Sequence, residues 1–206
     1  RIMRENKLKA QIGYKRRYIK GGKLASVADN VLDRNFNPEI PNQAWVSDIT
    51  YVRTHEGFLY VATVLDLFSR RIVGWLMDKN IDRHLVIRAL MMAVWKRQPK
   101  ETVLVHSDQG SQYGSADYLS FLRENNLKPS MSRRGNCHDN AVAESFFATF
   151  KKRVTQRKIY STRSDAKTEI FNFIEMFYNP IKRHSHTGGI SPVKFEEDYF
   201  SKLENV

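Results

Sequence analysis

The sequence predicts an α/β fold, a mixed five-stranded sheet flanked by helices. Two observations predict it. Three runs rich in β-branched and aromatic residues follow one another across short connections, the pattern of an antiparallel meander. After them, short apolar runs alternate with segments of helical period, the pattern of strands with helices laid on the sheet faces. The predicted order is β-β-β-α-β-α-β-α-α.

Element by element, residues 1–25 read as a helix or arm that breaks at Gly21-Gly22. Residues 26–44 read as a linker with a short helix around Ala28–Leu32, closed by Pro38 and Pro41. Trp45–Arg53, Phe58–Asp66 and Arg71–Met77 are the three meander strands, the first two joined by a turn at His55-Glu56-Gly57. Asp82 is placed to cap a helix to about Arg97, with Val86, Leu90, Ala93 and Val94 at helical spacing. Thr102–His106 is a buried strand, Ser115–Asn125 a helix and Lys128–Ser132 a last short strand. A polar loop, Arg133–Asp139, pivots at Gly135 and leads into a helix from about Asn140 to Val154, which Asp139 and Asn140 are expected to cap. A final amphipathic helix spans about Ser164–Tyr178 and ends at Asn179-Pro180. Trp75 and Trp95 are expected in the core.

The 206 residues carry a formal charge of +12, with a sequence pI of about 9.8. That balance suits a polyanionic partner, because each neutralised phosphate releases a counterion. The charge is uneven: residues 1–25 hold nine Lys or Arg against Glu5 alone, +8 of the +12. Such an arm either follows a nucleic acid backbone or is a solvated tail. Cys137 is the single cysteine, which excludes an internal disulfide framework and fits a reducing, intracellular compartment. The longest largely apolar stretch, Phe58–Leu65, is too short to span a bilayer, and no signal peptide is visible, so no membrane role is expected. Arg1 in place of Met suggests a fragment or processed product with a domain upstream.

Three carboxylates stand out. Asp48 and Asp108 are separated by 59 residues, Asp108 and Glu144 by 35. Asp48 shares a strand face with Val46 and Thr50, where a charge needs a partner; it is either a metal ligand or an edge carboxylate facing water. Asp108 ends a buried strand, where sheets of this kind place ligands, and Gly110 beside it would let a phosphate approach; the alternative is a turn cap. Glu144 lies opposite the apolar stripe Phe146, Phe147, Phe150 and Val154, and Lys151 stacks two turns beyond it; a solvated ion pair is the alternative. Together they present hard oxygen donors, which select Mg²⁺ or Mn²⁺. Two such ions, roughly 4 Å apart, perform phosphoryl transfer. Zinc is disfavoured, since Cys137 is alone and only His184-x-His186 has close His spacing.

The motifs around these residues resemble a family. Trp45-Val46-Ser47-Asp48-Ile49-Thr50-Tyr51, Val64-Leu65-Asp66-Leu67-Phe68-Ser69-Arg70 and His106-Ser107-Asp108-Gln109-Gly110-Ser111-Gln112-Tyr113 are similar to the catalytic core of IS3-family bacterial transposases. So are Ser130 to Phe147, Tyr178-Asn179, Arg183-x-Ser185 and Ser191-Pro192, so that the likeness runs from about residue 26 to 200. The resemblance implies a retroviral-integrase-like core with an RNase H-like fold. It implies a DDE transposase that cuts at insertion-sequence ends and joins the 3′-OH to DNA, using Mg²⁺. Asp48, Asp108 and Glu144 match the family's triad and Lys151 its basic extension. The implied division is a basic arm and linker at 1–44, left behind a missing helix-turn-helix region, a catalytic core at 45–200 and a tail at 201–206. A homo-oligomer assembled on DNA, in the bacterial cytoplasm with the nucleoid, is implied as well. Gln109 stands where many relatives carry Arg, and His138 where many carry Tyr; the first bears on a phosphate contact.

Other residues are weighed beside these. Arg133 and Arg134 lie in the loop next to the site, and the resemblance favours DNA contact over solvation. Lys152, Arg153, Arg157 and Lys158 extend the basic character and are expected to line a backbone track. Arg183 and His184 either touch DNA or tie the last helix to the sheet. Asp66 is expected to be a turn cap or a partner of Arg70 rather than a fourth ligand. Two rival functions stand beside the transposase: a nuclease on the same fold, and a catalytically silent DNA-binding module.

Overall fold

Strand β1 (Ala44–Thr54) is the axis of the structure, a computed structural model that describes Glu5 and residues 27–133, 137–156 and 158–204. On one edge β1 pairs antiparallel with β2 (Gly57–Asp66), and β2 with β3 (Ile72–Asp78). On the other, Ala44, Trp45 and Val46 pair parallel with β4 (Val103–Ser107), and β4 pairs parallel with β5 (Leu127–Met131). The order is β3-β2-β1-β4-β5, the mixed five-stranded sheet expected from the sequence. Beyond Val46 this edge of β1 runs free of β4 until Thr54 bridges Tyr160. The candidate site lies along that opening.

Alternation along the strands sends side chains to two cores. Trp45, Ala62, Val64 and Val73 face α1 (Arg83–Arg97) and α2 (Ala116–Glu124). Val46, Val52, Val61 and Leu65 face α3 (Ala141–Phe150) and α4 (Arg163–Phe171). The first two helices begin at side-chain caps, Asp82 as expected, accepting from the Leu85 N–H, and Ser115, accepting from the Tyr118 N–H. Helix α1 lies unusually close to the sheet because β3 offers Gly74, where a Cβ would stand 2.2 Å from the Ala89 carbonyl oxygen. Both α3 and α4 continue through wide π turns, Lys151–Thr155 and Asn172–Tyr178, with Gln156 N–H donating to Lys151 and Asn179 N–H to Ile174.

Four expectations are corrected. Ala28–Leu32 is not helical. It lies against β5, with Val31 and Leu32 N–H donating to Ser130 Oγ and Met131 N–H to the Asp29 carbonyl, so an edge strand outcompetes a one-turn helix for those backbone groups. Asn140 occupies the N-cap position of α3 but makes no side-chain cap bond, and both it and Asp139 are drawn into the site instead. Trp95 is 80% exposed, because the buried face of α1 is Leu85, Val86, Ala89, Leu90 and Ala93. Finally, a helix not expected from the sequence, α5 (Pro192–Glu204), docks through Glu196, which accepts from Ser69 Oγ, Arg71 and Arg97. Asp66 is the turn cap foreseen, accepting from the Phe68 N–H, and its buried carboxylate is shared with Arg97 at 3.4 Å. Asn179 ties the end of α4 to β3 by exchanging two hydrogen bonds with the Ile72 backbone.

Candidate active site

Asp48 stands midway along β1, on the face covered by α3, at the start of the unpaired edge. Asp108 follows the last residue of β4, and Glu144 is in the first turn of α3. Asp48 is half-buried, whereas Asp108 and Glu144 are exposed. Burial chiefly, with the charges of Asp108 and Glu144, pushes the Asp48 carboxyl up to about 6 against the Ile49 N–H and the Asn140 amide, which lower it. The structure therefore brings the three carboxylates into one electrostatic neighbourhood.

Their hydrogen bonds fix them individually. Asp48 Oδ1 accepts from the Ile49 N–H at 2.7 Å and Oδ2 from Asn140 Nδ2 at 2.9 Å. Asp108 Oδ1 caps its own turn, accepting from the Gly110 N–H at 2.9 Å. Among the described residues no group of three His, Cys, Asp or Glu is arranged to hold a metal ion as it stands. The donors suit a hard divalent cation even so: all are carboxylate oxygens, and their mutual repulsion at Asp48 is what a cation relieves. Among the described residues Asn140 Oδ1, at the same place, is buried without a partner.

Asp139 and Asn140 carry no sequence signal of their own beyond capping, yet they organise the site. The Asp139 side chain is fully buried and accepts from Arg133 (backbone N–H, Nε and Nη2), from Arg34 Nε and from Asn30 Nδ2. Arg133 chiefly, with Arg34, holds its carboxyl far below the usual carboxylate range. Arg133 is thus a half-exposed guanidinium fixed one residue from the Asn140–Asp48 contact. Beneath it, burial lowers the His106 imidazole to about 4, and its Nδ1 lies 2.9 Å from Ser130 Oγ.

The remaining candidates are dispersed. Gln109 donates Nε2 to the Ser132 carbonyl, closing the loop after β4 onto the end of β5. Lys151 is exposed where α3 widens, and it lines a groove with Tyr51 and Arg53. Lys152 belongs to a different groove, with Arg153, Phe177 and Lys182, so the basic run is split between two surfaces. Arg183 is exposed, while His184 packs edge-on against Tyr178. Arg134 and Arg157, like the N-terminal arm apart from Glu5, lie outside the described residues. Among the described residues no helix is long and apolar enough to cross a membrane.

A mixed five-stranded sheet with helices packed on both faces defines a class, and comparison with solved structures specifies it. The fold matches the simian T-cell lymphotropic virus intasome in complex with PP2A regulatory subunit B56 gamma, with a TM-score of 0.63 and 13% identity, over 77% of this chain and 55% of that one. It also matches the HTLV-2 integrase catalytic core domain in complex with magnesium (trimeric form), with a TM-score of 0.58 and 14% identity, over 77% of this chain and 99% of that one. At such identities the likeness is one of fold, the RNase H-like fold of retroviral integrase cores.

Sequence comparison goes further. Two models of the integrase core domain match residues 38–137 and 125–192. The chain is 45% identical over 170 residues to Transposase InsF for insertion sequence IS3A of Escherichia coli (strain K12), covering 82% of this chain. It is 43% identical over 173 residues to the 31 kDa protein of insertion element IS600 of Shigella sonnei, covering 84% of this chain. The chain belongs to the integrase core family, as an IS3-family transposase catalytic core. It spans 59% and 64% of the length of these two relatives.

Proposed function

We propose that this chain carries the catalysis of a DNA transposase, a polynucleotidyl transferase of the DDE type that cuts at insertion-sequence ends and joins the 3′-OH to DNA. The observation that carries this reading is the convergence of Asp48, Asp108 and Glu144 from β1, the end of β4 and α3, with the charges of the latter two felt at Asp48. A binding module has no use for three repelling carboxylates beside one another, since that repulsion lowers its stability.

Asp48, Asp108 and Glu144 are the residues that would hold two Mg²⁺ or Mn²⁺ ions. Such ions, when bound, activate an attacking oxygen and stabilise a leaving one. Asn140 orients Asp48 through its Nδ2 hydrogen bond. Lys151 places a phosphate beside the site, and Arg133, held by Asp139, supplies a second fixed cation for the DNA backbone. Arg134, Lys152, Gln109 and Arg183 are assigned DNA contacts on the resemblance alone. Residues 45–200 form the catalytic unit and residues 1–44 a basic arm and linker. DNA ends and target are the substrates, and the active form is a homo-oligomer on DNA in the bacterial cytoplasm, since two ends must be brought together.

A strand-transfer assay with candidate terminal sequences tests this. Glu144→Gln should abolish Mg²⁺-dependent joining and leave DNA binding largely intact. Full joining by that variant would overturn the assignment, and hydrolysis without joining by the unmodified chain would move it to a nuclease.

A further inference from the structure

We infer that the groove between the far end of β1 and Lys151, Thr155, Lys158 and Ile159 is a subsite for a nucleic acid strand adjoining the reacting phosphate. Arg53 and Lys158 hold its backbone, and Tyr51 stacks on one of its bases. The inference rests on the reading above and names a surface which that reading leaves unassigned.

The groove, of about 620 Å³, is lined by Tyr51, Arg53, Lys151, Thr155, Lys158 and Ile159. It exists because β1 outruns β4 and is rejoined only at Thr54 by the bridge to Tyr160. Lys151 lies on its wall, two helical turns along the chain from Glu144, which sets the groove beside the candidate site.

Its chemistry is that of a strand-binding surface. Three cations among the described residues line it, and no carboxylate among them does. Among the described residues neither Arg53 nor Lys151 has an ion-pair partner; Lys158 has Glu169 at 3.6 Å and lies 4.5 Å from the centre of the Tyr160 ring, which is not the ring offered to a base. The wall also carries exposed aromatic surface. Tyr51 is 56% exposed, with Phe58 set edge-on against it at 5.1 Å between ring centres. Arg53 covers Phe58 at 5.9 Å, and among the described residues no cation lies over the Tyr51 ring. Cations beside an open aromatic face bind phosphates and bases together, irrespective of sequence. The other basic groove, of about 560 Å³, lacks that second half: Arg153 already lies 3.7 Å over its Phe177 ring. An acidic peptide would satisfy the cations but has no need of the open ring.

The test uses the 206-residue chain and a fluorescent oligothymidylate without divalent cations, so that binding is read apart from catalysis. Arg53→Gln with Lys158→Gln should lower the slope of log affinity against log salt by about 1.4, two single-strand phosphate contacts. Tyr51→Ala should weaken binding at least about fivefold, while Tyr51→Phe should bind as the unmodified chain does. An oligonucleotide carrying 5-iodouracil should crosslink to Tyr51, located by mass spectrometry. Thermal melts of each variant should match the parent, since all three side chains are exposed. Unchanged affinity and salt slope with crosslinks elsewhere would overturn the subsite and leave the transposase reading standing. Failure of the parent chain to bind any DNA would overturn both. Competition by polyglutamate equal to that by oligothymidylate would overturn the nucleic acid assignment of the groove.

Discussion

Asp48→Asn should stabilise the metal-free protein, although it removes a residue central to the proposed chemistry. Burial first, and then Asp108 and Glu144, raise the Asp48 carboxyl from its ordinary 3.8 to about 6. A carboxyl with a folded value above its unfolded one binds its proton more tightly when folded. The folded state therefore loses stability as pH rises through that window, by about 3 kcal/mol in total at about 1.4 kcal/mol per pH unit. An uncharged amide escapes this loss. It also keeps the hydrogen bonds: its oxygen accepts from the Ile49 N–H, and if the Asn140 amide turns over, the unpartnered Asn140 Oδ1 accepts from the new NH₂. Because Asp48 is only half-buried, solvent screening reduces this, and the expected gain at pH 7.5 is about 2 kcal/mol, or roughly 4–8 °C in Tm for a chain of this size. Below about pH 4 the two proteins should be equally stable, because both then carry a neutral group. The buried Asp66, also raised to about 6, is common to both and cancels in the difference. Urea denaturation with chelator at pH 4 and pH 7.5 measures it. A variant less stable at pH 7.5, or a gain independent of pH, would refute the claim that burial, together with Asp108 and Glu144, holds the Asp48 carboxyl above its ordinary value. Added Mg²⁺ should favour the parent and narrow the gap, since only the parent keeps the full ligand set.

Two further predictions concern the scaffold. Glu196→Ala leaves Arg97, whose side chain is only 11% exposed, with Asp66 alone, and should cost about 3–5 kcal/mol; urea denaturation and faster proteolysis within Pro192–Glu204 would show it, and parental stability would contradict the role given to Glu196. Gly74→Ala drives a Cβ into the Ala89 carbonyl and to 2.9 Å from Ala93 Cβ, forcing α1 off the sheet at a cost of at least about 1–3 kcal/mol; an unchanged Tm would show that the helix can retreat freely.

The sheet was legible because its strands announce themselves locally. The β1–β2 register from Trp45↔Asp66 to Thr54↔Gly57 follows from a turn of fixed length between two β-branched runs. Asp82 was legible as a cap for the same reason, bonding the N–H three residues on, and Ser115, read only as the start of a helix, does the same. What escaped depends on partners far along the chain. Nothing near Asp139 indicates that it holds Arg34, 105 residues away, and nothing near Asn140 that it reaches Asp48, 92 residues away. Both residues look like caps because the same short polar side chains serve either purpose. Residues 28–32 were misjudged because the backbone partner that straightens them, β5, is equally remote. Helix α5 is different. Ser191 followed by Pro192 is a local start signal, with Lys194 N–H donating to Ser191 Oγ, and it was available in the sequence. Trp95, too, falls off the face marked by Val86, Leu90 and Ala93, so its exposure could have been foreseen.

The most direct test of the central claim is to locate metal in the protein itself. Crystals grown or soaked with MnCl₂ and measured at the manganese absorption edge should show two anomalous peaks, each liganded by oxygens of Asp48 together with Asp108 or Glu144, and both peaks should vanish in the Asp108→Asn variant. Manganese elsewhere, or none at saturating concentration in crystals whose three carboxylates are free to bind it, would contradict the assignment of these residues as the catalytic metal ligands.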